Sequence, residues 1–356
     1  MNARTGDYTR HINDDILKTY YFTFKPRPLL DGSFYAFDEE LVARLTEAHR
    51  ILGALSGVFS VMPGREHFAE IMCLKESCCS RIIDYTEPNL FDAMIAYGLG
   101  TPNECIQSIA SAYGHNVKKR FARFYLSDIA THALYGKSSR KQVHHRTKPM
   151  FLSHSSASFQ QYNPTAPEHI SSSLSDLVRY LQESNADPII KAAMCHYQLE
   201  MIHPYDCYNG IIGRMLTHLI LHDAGLVKDC YLAMSKCLLE QKTEYFHRLE
   251  QAQQEGRFLD WITFFVQTIT KAAQRSLCAA ERYRESVNRT DAEIVRYVQQ
   301  RMVSNVANTA HHLCISISTT TRRIGRLCEN GTLVQITKGA RNRFFAHKSI
   351  MEIFCE

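Results

Sequence analysis

The chain has 356 residues, of which 45% are hydrophobic and 22% charged, a composition typical of folded globular proteins with enough length for two or three hydrophobic cores. No apolar run of transmembrane length and no signal peptide are found, and the twelve cysteines lack paired Cys-x-x-Cys spacing, so we expect a cytoplasmic protein with reduced thiols and no membrane partner. The net charge is +5, and residues 291–356 contribute nine Lys and Arg against five Asp and Glu, which restricts a predicted nucleic-acid surface to that segment.

The N-terminal part of the chain predicts an extended arm followed by helices. Residues 1–35 are rich in aromatic residues and prolines, and we expect them to pack as an arm on the main body. A first helix is indicated by apolar residues at spacings of three and four, namely Leu41, Leu45, Ala48, Leu52 and Leu55. Gly57 and the Pro63-Gly64 turn are expected to break the chain after it. Residues 67–84 predict a second helix, and residues 90–135 predict scaffold helices.

The polar stretch 136–167 has no helical period, which favours a functional segment or a disordered surface loop. An amphipathic helix is then expected over 173–181, and two or three scaffold helices follow between 231 and 269.

Residues 188–226 read as a helix, a polar loop and a second helix. Asp187 is a good N-cap and Pro188 a good first helical residue, and the helix is expected to break at His203-Pro204 because a residue before proline is pushed out of the α region. The second helix starts near Asn209-Gly210 and ends at Gly225. Apolar residues occupy most of its faces, which predicts a central, buried helix. A polar loop that opens such a helix is suited to binding an anion.

This loop resembles the signature of the Fic (filamentation induced by cAMP) family, His-Pro-Phe-x-Asp/Glu-Gly-Asn-Gly-Arg-x-x-Arg. The matching positions are His203, Pro204, Asn209, Gly210 and Arg214, with Tyr205 as a conservative replacement of Phe. Three positions depart from the signature: Cys207 replaces the acidic residue, Tyr208 a glycine and Ile211 the first arginine. The motif is therefore degenerate.

The resemblance implies a mainly α fold with a Fic-type helical core, a small β-hairpin flap and a bound nucleotide. His203 would be the general base, and Asn209, Gly210 and Arg214 would bind ATP. The family acid holds Mg²⁺ (or Mn²⁺), a hard cation for which Cys207 is a poor ligand, so Asp206 is the candidate metal ligand. The flap would lie within residues 136–167, with Leu152, Phe159 and Tyr162 as its apolar residues. A homodimer is expected by resemblance alone.

A second resemblance concerns the helix at residues 67–85. Many Fic proteins carry an inhibitory helix with the pattern Ser/Thr-x-x-x-Glu-Gly/Asn, and Ser80 with Asp84 occupies the corresponding positions here. In the family the glutamate pairs with the second motif arginine, here Arg214, and blocks the productive pose of the γ-phosphate. The competing interpretation is that Ser80 and Asp84 form a solvated helix face.

Residues 289–356 predict a separate winged-helix domain, after an N-terminal region (1–110) and the Fic core (111–288) with its motif loop at 203–214. Three short helices precede two alternating segments, Leu333–Thr337 and Arg343–Ala346. The third helix would offer Thr319, Thr320, Arg322, Arg323 and Arg326 to a DNA groove, and the wing would offer Lys338, Arg341 and Arg343 to phosphates. Such domains also serve as protein-docking modules.

Three functional hypotheses follow. The first is a Fic-like protein adenylyltransferase that transfers AMP from ATP to a Ser, Thr or Tyr hydroxyl of an unidentified protein and is autoinhibited by the Ser80–Asp84 helix. The second is a catalytically impaired Fic scaffold that binds nucleotide or acts as a DNA-binding regulator. The third is transfer of a different phosphate-containing group. Cys207, Tyr208 and Ile211 support the second, because losing one stabilising group at such a site typically costs about 100–1,000-fold in rate. The retained His203 supports the first, which is the function that we predict.

Overall fold

The computed structural model describes residues 5–13, 19–31, 34–85, 89–101, 104–116, 126–136, 140–151, 162–229, 231–288, 293–337 and 343–355. These residues form fifteen helices and six short strands, so the chain is mainly α with small sheets, as expected. The helices are α1 Glu39–Val61, α2 Arg65–Asp84, α3 Leu90–Leu99, α4 Glu104–Asn116, α5 Leu126–Tyr135, α6 Pro167–Glu183, α7 Pro188–Ile202, α8 Asn209–Asp223, α9 Met234–Glu240, α10 Lys242–Glu255, α11 Phe258–Asn288, α12 Glu293–Arg301, α13 Val306–His312, α14 Ile317–Glu329 and α15 Lys348–Cys355. The strands are β1 Gly6–Asn13, β2 Thr19–Pro26, β3 Tyr162–Asn163, β4 Val303–Asn305, β5 Leu333–Gln335 and β6 Phe344–His347.

The N-terminal segment, for which the sequence predicts an extended arm, forms two paired strands. β1 pairs antiparallel with β2, with Gly6 opposite Pro26 and Asn13 opposite Thr19. β2 also pairs in parallel with β3, with Phe22 opposite Tyr162. The aromatic residues of β2, namely Tyr20, Tyr21, Phe22 and Phe24, suit this arrangement, since aromatic side chains are enriched in strands. β3 is thus the one strand that the described part of 136–167 contains, and it pairs with β2; Leu152 and Phe159 lie outside the described residues.

The central helices are α7 and α8, which pack against each other and are buried on nearly all sides, as their sequence predicts. α1 lies along α11, and α2 contacts both α8 and α9. The expected break at Gly57 is wrong, because α1 continues to Val61. A Cβ at Gly57 would meet nothing within 4 Å, so this glycine sits on an open helix face, where it costs only about 1 kcal/mol relative to alanine.

The C-terminal segment contains the three expected helices, α12 to α14, and the expected strand pair, β5 with β6. β4 adds a third strand, giving the order β4-β6-β5, and α15 follows. Ile294, Val298, Ile324, Leu333 and Phe345 form a small separate apolar cluster. Thr320 belongs to the buried side of α14, not to its outer face as expected. The winged-helix assignment and the domain limits stay predictions.

The C-terminal segment is also attached to the main body. Met302, Val303, Ala346, Ile350, Ile353 and Phe354 belong to the large core that contains α1 to α11. α2 reaches this segment twice, through His67 Nε2 on the carbonyl of Gln299 (2.7 Å) and through Lys75 Nζ on the carbonyl of Ile353 (2.8 Å). The inhibitory-helix candidate therefore touches both the motif loop and the C-terminal segment. Among the described residues, no helix combines the length and apolarity needed to span a bilayer.

Candidate active site

The loop between α7 and α8 places His203 at the end of a buried helix. The Asp187 side chain caps α7 by accepting a hydrogen bond from the Ile189 N–H (2.9 Å), and Pro188 occupies the first turn. α7 ends before Pro204, and His203 takes a left-handed conformation with φ 48°. Its ring Nδ1 lies 2.7 Å from the carbonyl of Glu200, which can only accept, so Nδ1 carries the proton. With the proton on Nδ1, the neutral form of the ring has Nε2 as its acceptor, which is the form that a general base requires.

Arg146 holds the loop in place, a role that no motif in the sequence indicates. Its Nε donates to the carbonyl of His203 (2.7 Å), its Nη2 donates to the carbonyl of Thr165, and its backbone N–H donates to the carbonyl of Pro204 (2.9 Å). The side chain is buried, and its partners are backbone carbonyls, most of them distant in the sequence, with Lys148 as the local one (3.0 Å from Nη1). Arg146 thus fixes the peptide groups on both sides of the His203–Pro204 bond.

Asn209 closes the loop on itself. Its Oδ1 accepts from the Tyr205 N–H (2.9 Å), and its Nδ2 donates to the Tyr205 carbonyl (2.8 Å). Both ends of the amide are therefore used within the loop, which gives Asn209 a structural role. Its predicted contact with a nucleotide stays a prediction.

The Tyr208 backbone adopts a left-handed conformation, which favours the glycine that the family signature has at this position. Its φ is 66°, a left-handed conformation that costs a non-glycine residue roughly 1–2 kcal/mol. Its hydroxyl accepts from Arg81 Nη1 (2.8 Å), and its N–H donates to the Tyr85 hydroxyl (3.3 Å). The Tyr85 and Tyr208 rings meet edge to face at 5.6 Å. Tyr208 therefore attaches the motif loop to the C-terminal end of α2.

The structure brings Ser80, Asp84, Gly210 and Arg214 together. Arg214 is fully buried; its Nη2 contacts Asp84 Oδ2 (2.7 Å) and the Ser80 carbonyl (2.8 Å), and its Nε donates to Ser80 Oγ (2.8 Å). A Cβ on Gly210 would meet Asp84 Oδ2 at 2.7 Å and Arg214 Nη1 at 2.9 Å. The Asp84 carboxylate thus lies over the first turn of α8, where the free N–H groups and the helix dipole favour an anion.

Two buried groups beneath this ion pair, Glu200 and His196, have pKa values that favour their neutral forms. Burial raises the pKa of Glu200 to about 8, with the Asp84 charge adding to the effect and Arg214 opposing it. Burial lowers the pKa of His196 to about 3, and its Nε2 contacts the Tyr245 hydroxyl at 2.8 Å. Glu200 lies 3.8 Å from both His196 and His203, but with a protonated carboxyl and a neutral His196 these contacts are not ion pairs. Burial disfavours the charge of Arg214, yet Asp84 holds its pKa above the ordinary value.

This electrostatic arrangement predicts how stability changes with pH. The Glu200 pKa rises from 4.5 to about 8 on folding, so the native state holds an extra proton and the free energy of unfolding falls as the pH rises through this interval. The titration of His196 changes the free energy of unfolding in the opposite direction, between about pH 3 and pH 6.5. Of these two groups, only Glu200 therefore contributes above pH 6.5. We expect the free energy of unfolding to fall by up to about 2 kcal/mol from pH 6.5 to 8 through Glu200.

Urea denaturation of the wild type and of Glu200→Gln at both pH values checks this prediction. The glutamine variant should show a flatter pH dependence, since it keeps the shape of Glu200 without its titration. Equal slopes for the two proteins would mean that Glu200 is already ionised in the native state.

Two of the remaining predicted site residues, Lys338 and Arg341, lie outside the described residues. Asp206 is exposed, and burial raises the pKa of the neighbouring Cys207 thiol, which therefore stays protonated and is a poor ligand for Mg²⁺. The described residues contain no group of three or more His, Cys, Asp and Glu that could hold a metal ion. The donor set thus does not fit a metal site built by the protein alone. The Tyr162 backbone forms β3.

Comparisons with known proteins agree with this geometry. Residues 124–221 match the model of the Fic/DOC family. The chain is 37% identical over 68 residues to protein adenylyltransferase fic-1 of Caenorhabditis briggsae, and 35% identical over 68 residues to that of Caenorhabditis elegans. Each match covers 18% of this chain and only 13% of the relative.

Solved structures share the fold at low sequence identity. A Fic family protein from Desulfovibrio desulfuricans G20 superposes with a TM-score of 0.58 at 14% identity, over 89% of this chain and 98% of that one. A Fic domain containing signaling protein from Bacteroides thetaiotaomicron gives a TM-score of 0.54 at 14% identity, over 67% and 97% of the two chains. The predicted resemblance is confirmed: residues 124–221 match the Fic/DOC family model, and the fold is similar to that of Fic family proteins.

Proposed function

We propose that this protein transfers AMP from ATP to a hydroxyl group of a protein, and that α2 holds the site in a closed state. The observation that carries the proposal is the position of the Asp84 carboxylate, 2.7 Å from Arg214 and directly over Gly210 at the start of α8. A carboxylate on a guanidinium and a helix N-terminus occupies the kind of position that a phosphate group binds. The fic-1 relatives, which are named protein adenylyltransferases, support the AMP-transfer part.

The residues suggest a direct displacement. His203 Nε2 would accept the proton of the target hydroxyl as its oxygen forms a bond to the α-phosphorus of ATP. The bond from this phosphorus to the oxygen bridging to the β-phosphate breaks, and pyrophosphate leaves. Arg214 would bind the γ-phosphate once Asp84 has withdrawn, and the first turn of α8 would bind the other phosphates.

The impaired scaffold remains the second candidate, because of two observations. Ile211 is fully buried, so the position of the missing arginine supplies no charge to the site. The Tyr208 side chain projects from the motif loop and contacts Arg81 and Tyr85 of α2 and its C-terminal end. A protein of this kind would bind ATP through Arg214 without turning it over.

A labelling experiment tests the proposal. ATP labelled in the α-phosphate or in the γ-phosphate is incubated with the Asp84→Gly protein and with Asp84→Gly/His203→Ala, in Mg²⁺, in Mn²⁺ and with a chelator. We expect covalent label from the α-phosphate only, reduced at least about 100-fold by His203→Ala, because a general base contributes typically 100–10,000-fold. ATP binding without label in any arm would establish the scaffold instead. Label from the γ-phosphate would show a different transferred group.

A further inference from the structure

The outer face of α14 carries three arginines that have no acidic partner among the described residues. Arg322, Arg323 and Arg326 are exposed, and none of them lies within 4.0 Å of a carboxylate in the part of the chain that the structure describes. Their spacing places them on one side of the helix, opposite the buried Thr320 and Ile324. Glu329, in the last turn, is the one acid in α14. Some other exposed arginines, such as Arg50 on α1 and Arg65 on α2, are paired with glutamates.

The same face offers hydroxyl groups at the beginning of the helix. Ser316 caps α14 by accepting a hydrogen bond from the Thr319 N–H (3.1 Å), which fixes the first turn. Ser318 is exposed and Thr319 half-exposed on the side of Arg322. Arginines and hydroxyls are the groups that bind phosphate oxygens and base edges of nucleic acids.

The shape of this segment also suits a duplex. α14 follows α13 after a four-residue turn, residues 313–316, and the β4-β6-β5 sheet completes the unit. A helix of 13 residues is about 20 Å long and fits a major groove about 12 Å wide. A membrane-surface helix would instead expose several large apolar residues, and Ile317 is the only such residue among those described in α14.

We propose that α14 is a docking surface for duplex DNA, with Arg322, Arg323 and Arg326 on the backbone and the first turn towards the base edges. This surface is independent of His203 and of any transfer reaction. Binding of this kind weakens steeply with salt, because each neutralised phosphate releases counterions.

Fluorescence anisotropy with a labelled 24-base-pair duplex of random sequence tests the proposal on the full chain. We expect binding whose affinity falls about tenfold or more in Arg322→Gln/Arg323→Gln at low salt. The slope of log affinity against log salt should become shallower by about 2, as expected for two lost phosphate contacts. Arg50→Gln/Arg65→Gln removes the same charge from α1 and α2 and should leave the affinity unchanged. Thermal melting verifies that both variants are folded.

Three results would overturn the proposal. The first is equal loss of affinity in both double variants, which would show an effect of net charge alone. The second is unchanged binding in Arg322→Gln/Arg323→Gln. The third is absence of duplex binding together with arginine-dependent binding to phosphatidylserine vesicles, which would identify an anionic membrane as the ligand.

Discussion

Replacing Asp84 by glycine is expected to raise AMP transfer from ATP by about ten- to a hundredfold. Arg214 donates to Asp84 Oδ2 at 2.7 Å, and an incoming γ-phosphate must displace this carboxylate before it can use the same guanidinium. A hydrogen bond to a charged group contributes about 1.5–3 kcal/mol, which corresponds to this range in an equilibrium constant. Removing Asp84 also uncovers Gly210 and the first turn of α8. Initial rates of incorporation from ATP labelled in the α-phosphate give the measurement.

The matched control is Glu66→Gln, which removes a carboxylate from the first turn of the same helix. Glu66 is exposed, and its one ion-pair partner among the described residues is the neighbouring Arg65, so its loss should leave the rate unchanged. A rate in Asp84→Gly no higher than in Glu66→Gln would mean that the Asp84–Arg214 pair does not restrain the site. The protein would then be limited by its motif substitutions.

Replacing Arg214 by methionine is expected to have the largest effect on stability, a loss of about 3 kcal/mol in the free energy of unfolding. The side chain is fully buried and connects α8 to Ser80 and Asp84 of α2. Breaking a buried ion pair by removing one partner leaves the other without compensation and costs about 3–5 kcal/mol. Asp84 is 22% exposed and can be partly hydrated, which favours the lower end of this range. Urea denaturation measures the change.

Arg248→Met on α10 is a suitable comparison. Arg248 also contacts two acids, Glu244 (2.6 Å) and Asp260 (3.6 Å), but it is partly exposed, so its loss should cost less than about 1 kcal/mol. A second comparison uses the Asp84→Gly background, in which Arg214→Met should abolish ATP binding measured by calorimetry. Equal stability of the two methionine variants, or ATP binding that survives Arg214→Met, would show that Arg214 is not the centre of this site.

Local signals explain why much of the site could be predicted. Asp187, Pro188 and Gly225 mark the ends of α7 and α8 within a few residues, and caps act over that same distance. The spacing from Ser80 to Asp84 is one helical turn, so both side chains had to share a face of α2. The Arg214 contact then required only that this face meet α8, which the family resemblance implied.

Other features depend on contacts between distant residues, and no local pattern encodes them. Arg146 binds carbonyl groups, which every residue has, so its partners leave no trace in the sequence. β3 has two residues and exists because β2 lies beside it. Tyr208 could be recognised as a departure from a glycine, but its hydrogen bond to Arg81 could not, since it depends on how α2 crosses the loop.

The contacts of Lys75 bear on how this protein unfolds. Its ammonium group is buried and donates to the Ile353 carbonyl in the last turn of α15, where a cation is favoured by the helix dipole. Burial lowers the pKa of Lys75, so loss of this carbonyl would leave a desolvated charge inside the core. A chain shortened at residue 288 would contain that unpaired charge and would also lack six side chains of the main core. The C-terminal segment is therefore part of the cooperative unit that keeps α2 folded, and melting one of them removes the support of the other.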